Sequence, residues 1–175
     1  TSFRQERALI RVDFNVPLDA HGNVTDATRI VAALPTIQHI LEQGGSCVLM
    51  SHLGRPKGND PKLSLKQLVP TLEKHLGQTV YFCDEVVGPK VTTQAEALKQ
   101  GEVMLVENLR FHEAETKGDK DFSEALSKLG TVYVNDAFGT AHRAEASTYG
   151  IAQFAKVASA GPLLAAEMDA IAKAL

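Results

Sequence analysis

Four apolar runs in this 175-residue sequence each end in residues able to hold a small anion or a hydroxyl group. The run beginning at Ala8 turns polar at Asp13 and Asn15 and stops at Pro17. The run from Cys47 delivers His52 and Arg55, Val103–Val106 delivers Arg110, and the run at 131–134 delivers His142 and Arg143. Arg29 lies on the connection after the first run. A guanidinium presents a planar fork of donors that matches the oxygen pairs of phosphate or carboxylate, so the chemistry implied is anion recognition. Several such cations gathered at one crevice repel one another while it is empty, which points the same way. Asp13 and Asn15 add acceptors for hydroxyls and for orienting the cations. The competing account pairs each Arg with a nearby Glu or Asp at the surface. It serves well for any single Arg and poorly for several positions that share one grammar.

For these residues to meet, the runs must be neighbouring parallel strands, because side chains beyond the carboxyl ends of such strands face a common crevice. Helical patterns lie between the runs, as that arrangement requires. Asp26 or Thr28 can cap a segment that Pro35 interrupts, after which Ile37, Ile40 and Leu41 stripe a helix ended by Gly44-Gly45. Ser64 caps a second helix, with Leu65, Leu68, Leu72 and Leu76 on one face and Pro70 predicting a kink or a restart. A further strand is expected at 79–84 and a short helix from Pro89 to Leu98. Residues 113–120 read as a charged, solvated loop and 121–129 as a helix with Phe122, Leu126 and Leu129 inward. An Ala-rich helical stretch is expected after Arg143, and Gly161-Pro162 opens a last amphipathic helix. Strands alternating with helices predict an α/β fold: a three-layer α/β/α sandwich with a mostly parallel, Rossmann-like sheet of five or six strands.

The remaining signals narrow the function. A net charge of −3 argues against a nucleic-acid surface, which needs a basic excess, so the anion site must be a local cluster. No apolar run reaches the roughly 18 residues a membrane span requires. The opening Thr1-Ser2-Phe3-Arg4 lacks Met and reads as trimmed, with no signal peptide. Cys47 and Cys83 sit far apart inside apolar runs and read as small buried hydrophobes, which suits a reducing, cytoplasmic setting. There is no Gly-x-x-x-x-Gly-Lys-Ser/Thr loop, no Gly-x-Gly-x-x-Gly, no metal-ligand spacing and no nucleophile elbow. The sequence thus shows a site for a small anion and none for a nucleotide.

The strand-exit motifs resemble those of phosphoglycerate kinase: Arg11-Val12-Asp13-Phe14-Asn15-Val16-Pro17, Ser51-His52-Leu53-Gly54-Arg55-Pro56, Glu107-Asn108-Leu109-Arg110-Phe111, and the stretch from Asn135 to Arg143. They occur in the family's order and cover essentially the whole chain, which corresponds to the amino-terminal half of the family. The resemblance implies a phosphoglycerate-binding domain over residues 1–161 and an interdomain helix over 162–175, leading to a nucleotide-binding domain absent from this chain. It implies phosphate transfer between 1,3-bisphosphoglycerate and ADP, giving 3-phosphoglycerate and ATP. Mg-ADP or Mg-ATP would be bound mainly by the second domain, with no cofactor or metal expected here, and the protein would be a cytoplasmic monomer without nucleic-acid or membrane partners. The implied substrate-binding residues are Asp13, Phe14, Asn15, Arg29, His52, Leu53, Gly54, Arg55, Arg110 and Arg143. Asp13 and Asn15 would hold the carboxylate and hydroxyl end. His52, Arg55, Arg110 and Arg143 would hold the phosphate, and Arg29 would be catalytic. Members of the family often carry a second His two residues after the last of these arginines; this chain has Glu145, which is left outside the site. The alternative from a different class is a stand-alone anion-binding α/β module without catalysis.

Overall fold

The strand β1 (Arg7–Arg11) is buried at every position after the first, as a central strand of a parallel sheet must be. The computed structural model describes residues 3–137 and 144–158. Four more strands flank it: β2 (Ser46–Met50), β3 (Val80–Cys83), β4 (Val103–Val106) and β5 (Val132–Asn135), in the spatial order β3-β4-β2-β1-β5. All four pairings are parallel, with Leu9 opposite both Val48 and Tyr133. β5 adds on the side of β1 away from β2, so the direction of winding reverses between β1 and β5. That reversal opens a crevice at the carboxyl edge, where ligands of such sheets bind.

The period of two along each strand divides the core between two faces. Ile10, Leu49, Leu105 and Val134 pack under α1 (Thr28–Glu42), α2 (Val69–Leu76) and the 3-10 turn Leu65–Leu68. Leu9, Val48, Met104 and Tyr133 pack under α3 (Pro89–Glu96) and α5 (Lys120–Ser127). This is the expected three-layer sandwich, with five strands among the described residues. Cys47 and Cys83 are buried free thiols, one on each face, and burial pushes both thiols above their ordinary range.

Three expectations are corrected. Pro35 does not restart its helix: α1 runs unbroken through it, because Ile30, Ala33, Thr36, Ile37 and Ile40 on both sides of it all bury on one sheet face. That shared burial outweighs the roughly 3 kcal/mol an interior proline costs. Residues 113–120 are not a solvated loop. They hold the short helix α4 (Glu113–Lys117), ended by Gly118 at φ 63°, and Glu115 within it is fully buried. The described part of the stretch after Arg143 forms a turn and the 3-10 turn Gly150–Gln153 rather than a helix. Pro70 is the second residue of α2, which restarts after the 3-10 turn, so its missing N–H falls where no intrahelical partner exists. The expected last helix lies outside the described residues.

Candidate anion-binding site at the strand exits

Beyond Arg11 the chain stays extended and keeps its alternation, so Val12, Phe14 and Val16 turn into the core and Asp13 and Asn15 toward the edge. Ser51, just past β2, stitches the two exits together: its Oγ accepts from Phe14 N at 2.9 Å and donates to the His52 carbonyl at 2.8 Å. Asn15 Oδ1 then accepts from Gly54 N at 2.9 Å. Gly54 sits at φ 61°, and a side chain there would meet Leu63 Cδ2 at 3.0 Å, so both the conformation and the space call for glycine.

The β4 exit is tied in by Asn108, which is fully buried. Its Oδ1 accepts from Leu53 N at 3.2 Å and Arg110 N at 3.0 Å. Its Nδ2 donates to the carbonyls of Leu53 at 2.8 Å and Leu63 at 2.9 Å. Arg110 is thereby aimed over the β2 exit, where Nη1 reaches the Gly54 carbonyl at 3.3 Å. Glu107, beside it, accepts from Ser64 Oγ, Leu65 N and Asn108 N and serves as an internal cap.

Arg29, in the first turn of α1, comes in from the other side. Its Nη1 donates to the Asn15 carbonyl at 2.8 Å and to Asp13 Oδ1 at 3.3 Å, with about half the side chain still exposed. Asp13 also accepts from Asn15 N at 3.1 Å. Arg55 is exposed, makes no ion pair among the described residues, and lines a cleft of about 480 Å³ with Arg110, Pro56, His112, Glu113 and Thr116. The structure thus brings Asp13, Asn15, Arg29, His52, Gly54 and Arg110 together from three strand exits and one helix start. Phe14 and Leu53 have core-packed side chains and engaged backbone amides, so their part here is to hold the residues beside them. His142 and Arg143 lie outside the described residues.

A second tier of polar residues sits beneath these and escaped the sequence reading. Arg11 is fully buried at the end of β1. Its Nε donates to Ser147 Oγ at 2.9 Å, Nη1 to the Val12 carbonyl, and Nη2 lies 2.8 Å from His52 Nδ1. A guanidinium only donates, so Nδ1 accepts and the imidazole carries its proton on Nε2. Ser147 in turn donates to Glu115 through both its backbone N, at 2.8 Å, and its Oγ. Burial lowers the Arg11 pKa, and the Glu115 and Glu145 carboxylates pull it back up. Burial raises Glu115, against the Ser147 hydrogen bonds and the Arg11 charge. Glu145, left outside the site at the sequence level, is buried in contact with Arg110, with Nη2 3.5 Å from Oε2.

Comparison with known proteins decides the family. The phosphoglycerate kinase profile matches residues 1–175. The chain belongs to the phosphoglycerate kinase family. The phosphoglycerate kinase of Moorella thermoacetica is 54% identical over 171 residues, which cover 97% of this chain and 43% of that protein. That of Gloeobacter violaceus is 52% identical over 170 residues, covering 97% and 42%. Among solved structures, the phosphoglycerate kinase of Coxiella burnetii superposes with a TM-score of 0.83 at 37% identity, over 100% of this chain and 43% of that one. The Pyrococcus horikoshii enzyme gives 0.84 at 32% identity, over 99% and 44%. The chain therefore spans less than half the length of these relatives. Both neighbours share the α/β sandwich described above.

Proposed function

We propose that this chain is the substrate-binding half of a glycolytic phosphotransferase that moves phosphate between 1,3-bisphosphoglycerate and ADP, giving 3-phosphoglycerate and ATP. The observation that carries this reading is the convergence of Arg29, Arg110 and His52 with the acceptors Asp13 and Asn15 at one sheet edge. Asp13 and Asn15 take the hydroxyl and carboxylate end of the phosphoglycerate. His52, Arg55, Arg110 and Arg143 hold its phosphate. Arg29 is the catalytic cation, because it enters from α1 rather than from a strand exit and can neutralise charge on the phosphoryl group in transit.

The described residues hold no cluster of three His, Cys, Asp or Glu placed to bind a metal ion. In this reading Mg-ADP or Mg-ATP is bound mainly by a second domain, joined through residues 162–175. Phosphate transfer needs both halves, since alignment of the two reactants supplies several kcal/mol of the barrier reduction. A cytoplasmic location fits the reading: relatives named cytosolic occur in Nicotiana tabacum and Arabidopsis thaliana, alongside a chloroplastic one. No helix among the described residues is long and apolar enough to cross a membrane.

Calorimetric titration of 3-phosphoglycerate into the chain tests the assignment. Saturable binding at low salt that weakens as salt is added is expected, since half-exposed cations are screened. Absence of saturable binding at low salt refutes the site. Robust ATP formation from 1,3-bisphosphoglycerate by this chain alone refutes the division between two halves.

A further inference from the structure

Arg110 and Glu145 form an unusually poor buried pair. Their side chains are 12% and 6% exposed, yet they share a single contact of 3.5 Å between Nη2 and Oε2. Arg110 Nε and Glu145 Oε1 are both buried, and neither has a hydrogen-bond partner among the described residues. Two buried ions of opposite sign ordinarily close into a two-pronged contact, because each unpaired polar atom left in a low-dielectric setting is costly. The backbone is anchored on both sides of the pair. Arg110 N is held by Asn108 Oδ1. The Glu145 carbonyl accepts from Tyr149 N at 2.8 Å and Gly150 N at 3.1 Å, and the next two residues are pinned to Glu115. Arg110 Nε is thus left without an acceptor among the described residues.

We infer that Glu145 is a resident counter-anion of the Arg110 clamp, which sets how tightly the site takes a phosphate oxyanion. It holds part of the Arg110 charge that the cleft shared with Arg55 would otherwise offer to a ligand oxygen. The inference rests on the anion-binding reading above and assigns Glu145 an affinity-setting role exerted through Arg110. The rival role, a strut that only keeps Arg110 in position, predicts the opposite sign when the charge is removed. A strut that is lost lets Arg110 drift and weakens binding; a counter-anion that is lost strengthens it.

The test is calorimetry at low salt with inorganic phosphate and 3-phosphoglycerate on wild type, Glu145→Gln, Arg110→Ala and the double variant, with the thermal midpoint recorded for each. Freeing the Arg110 guanidinium from its resident carboxylate is expected to tighten both anions by about tenfold or more. The gain should vanish in the Arg110→Ala background, because Glu145 then has no clamp to compete for. Should Glu145→Gln fail to fold, Glu145→Asp draws the carboxylate back by one methylene and is expected to give a smaller gain of the same sign. Unchanged or weaker anion binding in the folded variants overturns the inference. Wild type that binds inorganic phosphate but not 3-phosphoglycerate refutes the proposed function, while the phosphate arm still decides the role of Glu145. Binding of neither anion by any variant overturns both.

Discussion

Replacing Asn108 with Ala probes the tie that positions half of the site. The side chain is fully buried and all its hydrogen-bonding groups in use are spent on backbone: Leu53 N and O, the Leu63 carbonyl and Arg110 N. No other donor or acceptor among the described residues takes over at Leu53 N or Arg110 N. At a net value of about 1 kcal/mol per bond, truncation costs about 4 kcal/mol, and the vacated volume adds to that. Set against the 5–15 kcal/mol total of a typical domain, such a loss is easily measured. Urea unfolding followed by far-UV circular dichroism gives the change, with the m-value checking that the transition stays two-state. The amides of Leu53 and Arg110 should lose hydrogen-exchange protection beyond the global destabilisation. Affinity for 3-phosphoglycerate should fall as well, because both Leu53, which precedes Gly54, and Arg110 are placed through this one side chain. A loss below about 1 kcal/mol at unchanged m-value would show that the loop is held by something else.

Three further outcomes are expected. In a chimera joining this chain to the carboxy-terminal part of the Moorella thermoacetica relative, Arg29→Ala should lower turnover by about 100-fold or more and leave the Michaelis constant nearly unchanged; steady-state kinetics showing a raised constant with turnover intact would make Arg29 one more anchor. Burial pushes the Asp136 carboxyl up to about 6, opposed by its hydrogen bond to Thr36. With an unfolded value of about 3.9, the folded chain binds the extra proton between about pH 4 and 6, so its stability falls as pH rises through that window. Asp136→Asn should therefore raise the thermal midpoint at pH 7.5 and not at pH 4, and a lower midpoint at pH 7.5 contradicts the assignment. Glu115→Gln should cost about 2–3 kcal/mol in urea unfolding, since it removes the charge that Ser147 relays to buried Arg11; a neutral result would mean the network is dispensable.

The sheet was legible because strand burial is local: an apolar run such as Cys47 to Met50, preceded by Gly44-Gly45 and too short for a helix, reads as a strand buried on both faces. The placement of His52 and Arg110 at the edge was legible for a related reason, since a cation just past a buried strand has one crevice to face. Glu115 was not. In a run of charged residues nothing marks it as buried, and its partner Ser147 lies 32 positions away. Arg11 hid likewise, as a charged residue closing an apolar strand whose Ser147 contact spans 136 positions. Glu145 drops out of any reading that looks for cations, because its significance comes only from standing against Arg110. Pro35 misled because the backbone penalty is visible in the sequence and the five side chains that outweigh it are not.

The hidden carboxylates also change how the site must work. Four arginines gather at the described edge, namely Arg11, Arg29, Arg55 and Arg110, but Asp13, Glu115 and Glu145 stand among them. Among the described residues three negative charges offset most of the four positive ones, and the whole chain carries −3. Long-range attraction by these residues is therefore reduced, and short-range geometry gains weight. The short-range contacts on offer are the Arg110 guanidinium, the open face of Arg55 beside it, and acceptors at Asp13 and Asn15 that reward a hydroxyl. A bare phosphate can use only the first two. A ligand carrying phosphate, hydroxyl and carboxylate on a short carbon chain can use all of them, so crowding the cations with carboxylates weakens generic anions more than the proposed substrate.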